Sequence, residues 1–206
     1  LTLTFLTPMF TDDQLRLSRP VYYIQHTARS LDGAAHKVQL CFAASAEHTI
    51  NDASTPVAWS AWERPGLHGV QLGAATQKVL GSKGDFVNLD WGHLHLASPT
   101  KAELYAGSAN ASRKAFAATG TVPATADARQ PRACSDDLPA LATAHDLGSV
   151  TAKPVDHTVL LAYDDIASVY YFGSQYKALW TQTCTDIQAA IAAAAAEEAA
   201  MQKKSE

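Results

Sequence analysis

The sequence predicts a mainly β fold, namely an antiparallel β-sandwich with a short internal helix and a C-terminal α-helix. Short runs of alternating apolar and polar residues, bounded by turn residues, recur through the first half of the chain. A segment of helix-forming residues interrupts this pattern near residue 108, and an alanine-rich segment closes the chain. Strands and turns at this spacing indicate a sandwich or barrel and not a parallel sheet with alternating helices.

The N-terminal strands show the clearest alternation. In LTLTF (residues 1–5) the leucines and the phenylalanine share one face, and the threonines share the other. A turn at residues 32–33 separates VYYIQHTA (residues 21–28) from HKVQLCFAASAE (residues 36–47), so we predict that these two strands pair as a hairpin. We predict further short strands in HGVQLG (68–73), QKVL (77–80) and DFVNLDWGHLHLA (85–97), and a tight turn in GSKGD (81–85).

The second half of the chain begins with a short helix. In SANASRKAFAATG, Ser108 is a candidate N-cap and Gly120 a stop signal. A loop rich in proline, alanine and aspartate follows over residues 121–140. The segments LPALATAHDLG (138–148) and HTVLLAYDD (157–165) read as two more strands.

The alanine-rich end of the chain, residues 183–206, predicts a helix from propensity alone. Thr185 and Gln188 have the spacing of a capping box, and Asp186 suits the positive end of the helix dipole. The helix has only a thin apolar stripe, so it needs a surface to pack on. That stripe consists of Ile187, Ile191 and Ala194.

Composition and charge are those of a globular protein and exclude several functions. The chain has 206 residues, 47% hydrophobic and 17% charged, with a net charge of −4. This charge gives no electrostatic basis for binding nucleic acid or an anionic membrane. No apolar run approaches the ~20 residues that span a bilayer. The chain opens on a strand pattern without an initiator methionine, so we interpret it as part of a longer polypeptide.

Asp164 and Asp165, in AYDDIASVYYFG, are the first candidate site residues. Neighbouring residues of a strand point to opposite faces, so both carboxylates meet one substrate only where the chain turns. The simpler interpretation is a strand end followed by a turn, with an aspartate as the capping group. The alternative is a catalytic or ligand-binding role.

His93 and His95 are the candidate metal ligands, because residues two apart in a strand share a face. A third ligand has to come from elsewhere, and the simpler interpretation is a polar face opposite Leu94 and Leu96. The three cysteines are far apart and lack zinc spacing, so they predict neither a metal site nor a disulfide framework. We therefore predict no cofactor.

Two further patterns bear on partners and location. Asn110 begins the tripeptide Asn-Ala-Ser, which fits the acceptor pattern for N-glycosylation. The four tryptophans can either stack on a sugar or pack in the core, and packing is the commoner use in a β-sandwich. They are Trp59, Trp62, Trp91 and Trp180.

Taken in order, several phrases over residues 1 to about 180 resemble the N-terminal region of the secreted fungal and bacterial glutaminase A family. These phrases are LTLTFLTP, LSRPVYYI, SLDGAAHKVQL followed by ASAE, GDFVNLDWGHLHLA, PRACSDDLPALATAHDLGSV and LLAYDDIASVYYFG. The resemblance weakens after Trp180.

The resemblance implies an extracellular, multi-domain hydrolase, in which a β-sandwich precedes an α/α toroid. The family reaction hydrolyses the side-chain amide of glutamine to give glutamate and ammonia. Residues 1–160 then form the sandwich, and residues 161–206 form a junction and a helix leading to the catalytic domain, which is the expected partner. On this interpretation the chain is itself non-catalytic, and Asp164 or Asp165 faces the cleft that binds the small-molecule amide.

Two other functions stay open. The domain is alternatively a carbohydrate-binding module or the sandwich of a glycoside hydrolase, with a glycan as its ligand. A stand-alone enzyme is the third alternative, but the sequence shows neither a pair of carboxylates at glycosidase spacing nor a nucleophile with its base. An ancillary domain is expected to expose a large apolar patch when isolated.

Overall fold

The computed structural model describes residues 1–82, 84–85, 88–100 and 102–205. The strands are β1 (Thr2–Leu6), β2 (Val21–Ala28), β3 (His36–Ser45), β4 (Pro56–Arg64), β5 (Leu67–Ala74), β6 (His93–Ser98), β7 (Glu103–Ser108), β8 (Arg132–Ala133), β9 (Pro139–Val150), β10 (Val155–Asp164), β11 (Val169–Tyr171) and β12 (Ser174–Tyr176). The α-helices are α1 (Gln14–Leu17), α2 (Ala109–Thr119) and α3 (Ile187–Ser205), and short 3₁₀ helices cover Ala46–Thr49 and Leu179–Gln182.

The fold is mainly β and antiparallel, as predicted. The larger sheet has seven strands in the order β1-β2-β10-β6-β5-β4-β8, and the smaller has three in the order β3-β9-β7. Strands β11 and β12 form a separate two-stranded hairpin. Because the sheets differ by four strands, the smaller one covers only part of the inner face of the larger one.

Two apolar layers hold the domain together. The first lies between the sheets and combines residues such as Leu72, Leu94 and Val159 of the larger sheet with Leu141 of the smaller one. The second lies on the outer face of the larger sheet, where α3 packs against β2 and β10. Strand β10 contributes to both layers and continues across residue 160, where the sequence predicted a domain division.

The two predicted longer helices are confirmed. Helix α2 begins after Ser108, whose hydroxyl accepts a hydrogen bond from the Ala111 amide at 3.0 Å, and it ends at Gly120 with φ of 75°. Helix α3 buries the predicted apolar stripe against the sheet. The stripe consists of Ile187, Ile191 and Ala194.

The predicted capping box of α3 is wrong. The Asp186 carboxylate accepts the Ala189 amide at 2.8 Å and is therefore the N-cap, while Thr185 donates its hydroxyl to Asp186. Gln188 does not reach back to the helix start, because its side-chain oxygen accepts a hydrogen bond from Arg64. A carboxylate at the cap also complements the helix dipole.

The predicted hairpin of residues 21–28 with residues 36–47 is also wrong. Strand β2 pairs with β1 and β10 in the larger sheet, whereas β3 pairs with β9 in the smaller one. The intervening loop carries the chain from one sheet to the other, and its Ser30 amide donates a hydrogen bond to the carbonyl of Thr151, which follows β9. As a result, Ile24 of β2 and Ala44 of β3 meet in the apolar layer between the sheets.

Two other strand predictions need correction. Residues 77–80 form no strand, and Leu80 has φ of 56°, which is incompatible with an extended chain. The strand predicted at residues 85–97 begins only at His93. Of the residues in that prediction and in the predicted turn at 81–85, Phe86, Val87 and Lys83 lie outside the described residues.

Candidate functional site

Asp164 and Asp165 lie where β10 ends and the chain turns. The Asp164 carboxylate accepts the Ile166 amide at 2.9 Å, and Ile166 has φ of 62°. The Asp165 carboxylate accepts the hydroxyl hydrogen bond of Ser168. Both carboxylates therefore fold the turn through local hydrogen bonds. A contact with substrate stays a prediction.

A network of side chains supports this turn from the neighbouring strands. The Tyr163 hydroxyl donates to the Trp91 carbonyl at 2.6 Å, and the Trp91 indole donates to the Ala167 carbonyl at 3.3 Å. Gln77 accepts the Gly92 amide at 2.5 Å and donates to the Gly92 carbonyl at 3.1 Å. These bonds connect the loop before β6 to the end of β10 and fix the position of both aspartates.

The electrostatics of this end of the sheet are acidic. Burial and the nearby carboxylates of Asp165, Asp90 and Asp164 raise the pKa of Tyr163 far above its usual value, so its phenol stays protonated. Burial lowers the pKa of His93, although the charge of Asp164, its partner across the strands, acts in the opposite direction. The turn thus presents carboxylates without a compensating cation from His93 near neutral pH.

The hairpin β11–β12 follows this turn and exposes aromatic side chains on both of its faces. Its tip, Phe172–Gly173, has positive φ at both residues, as a tight two-residue hairpin turn requires. Phe172 is 88% exposed and its ring contacts the Tyr171 ring edge-on at 4.4 Å. The exposed apolar residues of the hairpin are Val169, Tyr170, Tyr171, Phe172 and Tyr176. We call the hairpin with Asp164 and Asp165 the junction surface.

The junction surface is unusual for a folded domain. A two-stranded hairpin is at best marginally stable in water, and this one has its large side chains in solvent. Contiguous exposed aromatic groups mark sites of interaction. The hairpin was not predicted from the sequence, where its signal is a Phe-Gly turn between the tyrosine-containing segments VYY and SQY.

His93 and His95 do share a face of β6, opposite Leu94 and Leu96 in the core. Their ring centroids are 6.4 Å apart, and His95 packs against Trp62 at 6.1 Å. Within the described ranges, no group of three or more histidine, cysteine or acidic residues can hold a metal ion. Burial, and secondarily the charge of His93, lower the pKa of His95 to about 3.

A second set of buried histidines lies between the sheets. The His157 ring is tilted by 43° against the His145 ring, with centroids 3.5 Å apart, and its centroid lies 6.4 Å from that of the His26 ring. The Thr100 hydroxyl lies 3.4 Å from the Nδ1 atom of His157. Burial, and secondarily His26, lower the pKa of His157 to about 4. The sequence did not reveal this cluster, since its members come from three strands distant in the chain.

These histidines predict a loss of stability on acidification. The pKa values of His95 and His157 are lower in the folded than in the unfolded chain, so the unfolded state binds more protons below pH 6.5. We expect the urea midpoint to fall from pH 7 to pH 5, before most carboxylates titrate. His157→Gln should reduce the loss by up to about 1 kcal/mol per pH unit. The exposed control His48→Gln should keep the wild-type slope, and equal slopes for both variants would contradict this account.

The remaining candidates have clear positions. Trp59, Trp62 and Trp180 are buried, so their rings pack in the core and are not open to a sugar. Asn110 is exposed in the first turn of α2, and its amide donates to Asp137 at 2.9 Å. Glycosylation of Asn110 stays a prediction. Across the described residues, no helix combines the length and apolar character needed to cross a bilayer.

The fold and the junction surface together define an antiparallel β-sandwich domain with a helix packed on its larger sheet and an exposed aromatic hairpin at one end. The chain belongs to the family described as "Domain of unknown function (DUF5127)", whose profile matches residues 1–206. No curated protein matches the sequence.

Proposed function

We propose that the chain is an ancillary, non-catalytic sandwich domain of a secreted glutaminase-type amidohydrolase, and that it braces the catalytic domain of the same polypeptide. The observation that carries the proposal is the exposed aromatic hairpin, whose tip residue Phe172 is 88% exposed. Aromatic side chains dominate the energetics of interfaces, and exposed ones cost solubility unless a partner covers them.

The position of the hairpin supports docking next to an amide-binding cleft. It begins four residues after Asp165, so a domain that covers the aromatic rings also lies against the carboxylates of the turn. Ligand sites favour domain interfaces, and a carboxylate at such an interface can accept the amide or ammonium protons of glutamine. The resemblance to the glutaminase A family supplies the substrate class.

The hydrogen bonds of the two carboxylates support the proposal that the domain is non-catalytic. Asp164 and Asp165 are engaged by Ile166 and Ser168 in the turn, and the buried Tyr163 beside them is held protonated. Each aspartate still has acceptor capacity, because a carboxylate offers about four lone-pair positions. Both are therefore suited to orient a substrate and are not arranged as an acid–base pair.

Asparagine replacements in the longer polypeptide test the proposal. Asn keeps an oxygen that accepts the turn hydrogen bond, so Asp164→Asn and Asp165→Asn should fold. We expect one of them to lower kcat/KM for glutamine about tenfold, through loss of a charge-assisted hydrogen bond. The exposed control Asp136→Asn should have no effect. Unchanged kinetics in both variants would remove the cleft contact, and a polypeptide without glutamine hydrolysis would overturn the proposal.

Carbohydrate binding remains the second candidate, because the exposed tyrosines of the hairpin can stack on sugar rings. The isolated chain distinguishes the two functions. Saturable binding to a glycan array, lost in Tyr171→Ala and Phe172→Ala, would favour a binding module over a brace. No glycan binding by the isolated chain would favour docking of the hairpin on the catalytic domain.

A further inference from the structure

The inner face of the larger sheet is uncovered at one edge. Phe5 and Ile24 are paired across β1 and β2 and so point to the same face. Phe5 is nevertheless 70% exposed, whereas Ile24 is only 2% exposed. Leu1 and Leu3 continue the exposed row along β1. The smaller sheet ends at β3, so among the described residues no strand lies opposite the apolar face of β1.

A single added strand would fill the gap between the edges of the two sheets. Strand β3 is an edge of the smaller sheet, and β1 is an edge of the larger one. Two adjoining cavities of about 440 and 640 Å³ follow the groove between these edges. One is lined by Leu1 and Leu40, and the other by Phe5 and Phe42, so the groove runs along both strands in the same direction.

The backbone of β3 is ready to pair on its open side. Its backbone hydrogen bonds go to β9, and among the described residues none joins residues 36–45 to another segment. A strand pointing alternate amides to its two sides leaves every second N–H and C=O of an edge for a new partner. A register shift interrupts the strand between Lys37 and Gln39. Beyond it, Leu40, Phe42 and Ala44 alternate on the inward side, which suits apolar groups of an added strand.

One end of the groove carries charges of both signs, because Arg113 and Glu47 line the same cavity. Arg113 of α2 lines the larger cavity and is exposed. Within the part of the chain that the structure describes, its guanidinium has no hydrogen-bond or ion-pair partner. The nearby Glu47 carboxylate already accepts the Ser45 hydroxyl at 2.8 Å. An acidic group on the occupant would therefore meet an uncommitted cation.

We propose that the groove between β1 and β3 binds an extended peptide segment that adds a fourth strand to the smaller sheet. The segment has apolar side chains at alternate positions, which cover Leu1, Leu3 and Phe5, and an acidic side chain at the end near Arg113. Backbone pairing with β3 supplies affinity, and the pattern of side chains supplies specificity. This docking surface is distinct from the junction surface and does not depend on the proposed function.

A tethered strand tests the proposal without knowledge of the natural partner. The sequence Thr-Val-Thr-Val-Thr-Val-Asp is joined to Leu1 through a flexible Gly-Ser linker of about twelve residues, which reaches the groove in either direction. Tethering gives an effective concentration in the millimolar range, so weak intrinsic binding is detected. The matched control carries proline in place of two threonines and cannot complete the pairing. Hydrogen exchange of the amides of residues 36–45 is then measured.

We expect the outward amides of β3 to exchange at least about tenfold more slowly in the fusion than in its proline control, because pairing removes them from solvent. Arg113→Gln should reverse most of this protection, whereas Lys114→Gln on the same helix should not. Equal exchange in the fusion and its control overturns the proposal.

Two other outcomes also overturn it. Concentration-dependent dimerisation of the unfused chain with protected β3 amides would make the groove an interface between copies. Dodecanoate binding that Arg113→Gln abolishes, without β3 protection in the fusion, would make it a site for a small amphipathic anion.

Discussion

Ala190→Asp in α3 is expected to lower the free energy of unfolding by about 3–5 kcal/mol, because it places an unpaired charge in a closed apolar layer. Ala190 is fully buried between the helix and the outer face of the larger sheet. Its position near the helix N-terminus favours an acidic residue, so the helix dipole cannot cause the loss. Urea unfolding followed by circular dichroism measures the effect.

Ala196→Asp is the matched control, since residue 196 is exposed on the same helix. We expect it to lower stability by no more than about 1 kcal/mol, mainly because Asp has a lower helix propensity than Ala. Similar losses in the two variants would mean that helix propensity, and not packing on the sheet, dominates. If neither variant lost stability, α3 would not be packed on the sandwich in solution.

Gly92→Ala is expected to destabilise the fold by about 3 kcal/mol or more. Gly92 has φ of +92°, and a Cβ atom there would lie 2.2 Å from the backbone oxygen of Asp164. The left-handed conformation costs about 1–2 kcal/mol for any other residue, and the overlap adds a comparable amount. Because the overlapping atom is backbone, relief requires the turn at Asp164 to move. Thermal unfolding measures the loss.

Gly33→Ala separates the cost of the left-handed conformation from the cost of the overlap with the Asp164 backbone. Gly33 has φ of +79°, and a Cβ atom there meets nothing within 4 Å. Its loss should be the conformational part alone, about 1 kcal/mol. Equal effects at Gly92 and Gly33 would contradict the close approach of the loop before β6 to the end of β10.

Local chemistry made parts of the fold predictable. Helix α2 was predicted with its boundaries, because Ser108 and Gly120 satisfy the helix ends through their own side-chain and backbone properties. The long strands β9 and β10 were found from their apolar runs. The predicted capping residue of α3 was wrong because Thr185 and Asp186 are adjacent and both can cap a helix. In the structure the Asp186 carboxylate is the cap.

Sheet pairing was not predictable from local signals. The turn at residues 32–33 suggested a hairpin, yet β3 pairs with β9, whose first residue is Pro139. Such registers depend on apolar faces that meet only in the folded chain. Strand β4 escaped prediction because both of its faces are apolar, so its sequence lacks a clean alternation of apolar and polar residues: Trp59 faces the core between the sheets and Trp62 faces the outer layer.

The candidate site, like the fold, was only partly predictable from the sequence. The turn at Asp164 and Asp165 was predicted from its position between two apolar runs, and its capping hydrogen bonds agree. The contribution of Gln77 was hidden, because that segment reads as a strand and bonds a residue far along the chain. Exposure of the hairpin was not readable either, since tyrosine and phenylalanine serve equally in cores.

Docking of the junction surface on a catalytic domain is the central claim, and hydroxyl-radical footprinting of the native polypeptide tests it most directly. The modification rates of Tyr171 and Phe172 are compared between the isolated chain and the native polypeptide, with the exposed Met9 as internal reference. We predict that both rates fall at least about tenfold in the native polypeptide, because an interface excludes water from its aromatic anchors, while Met9 is unchanged. Equal rates for Phe172 in the two samples would contradict the claim.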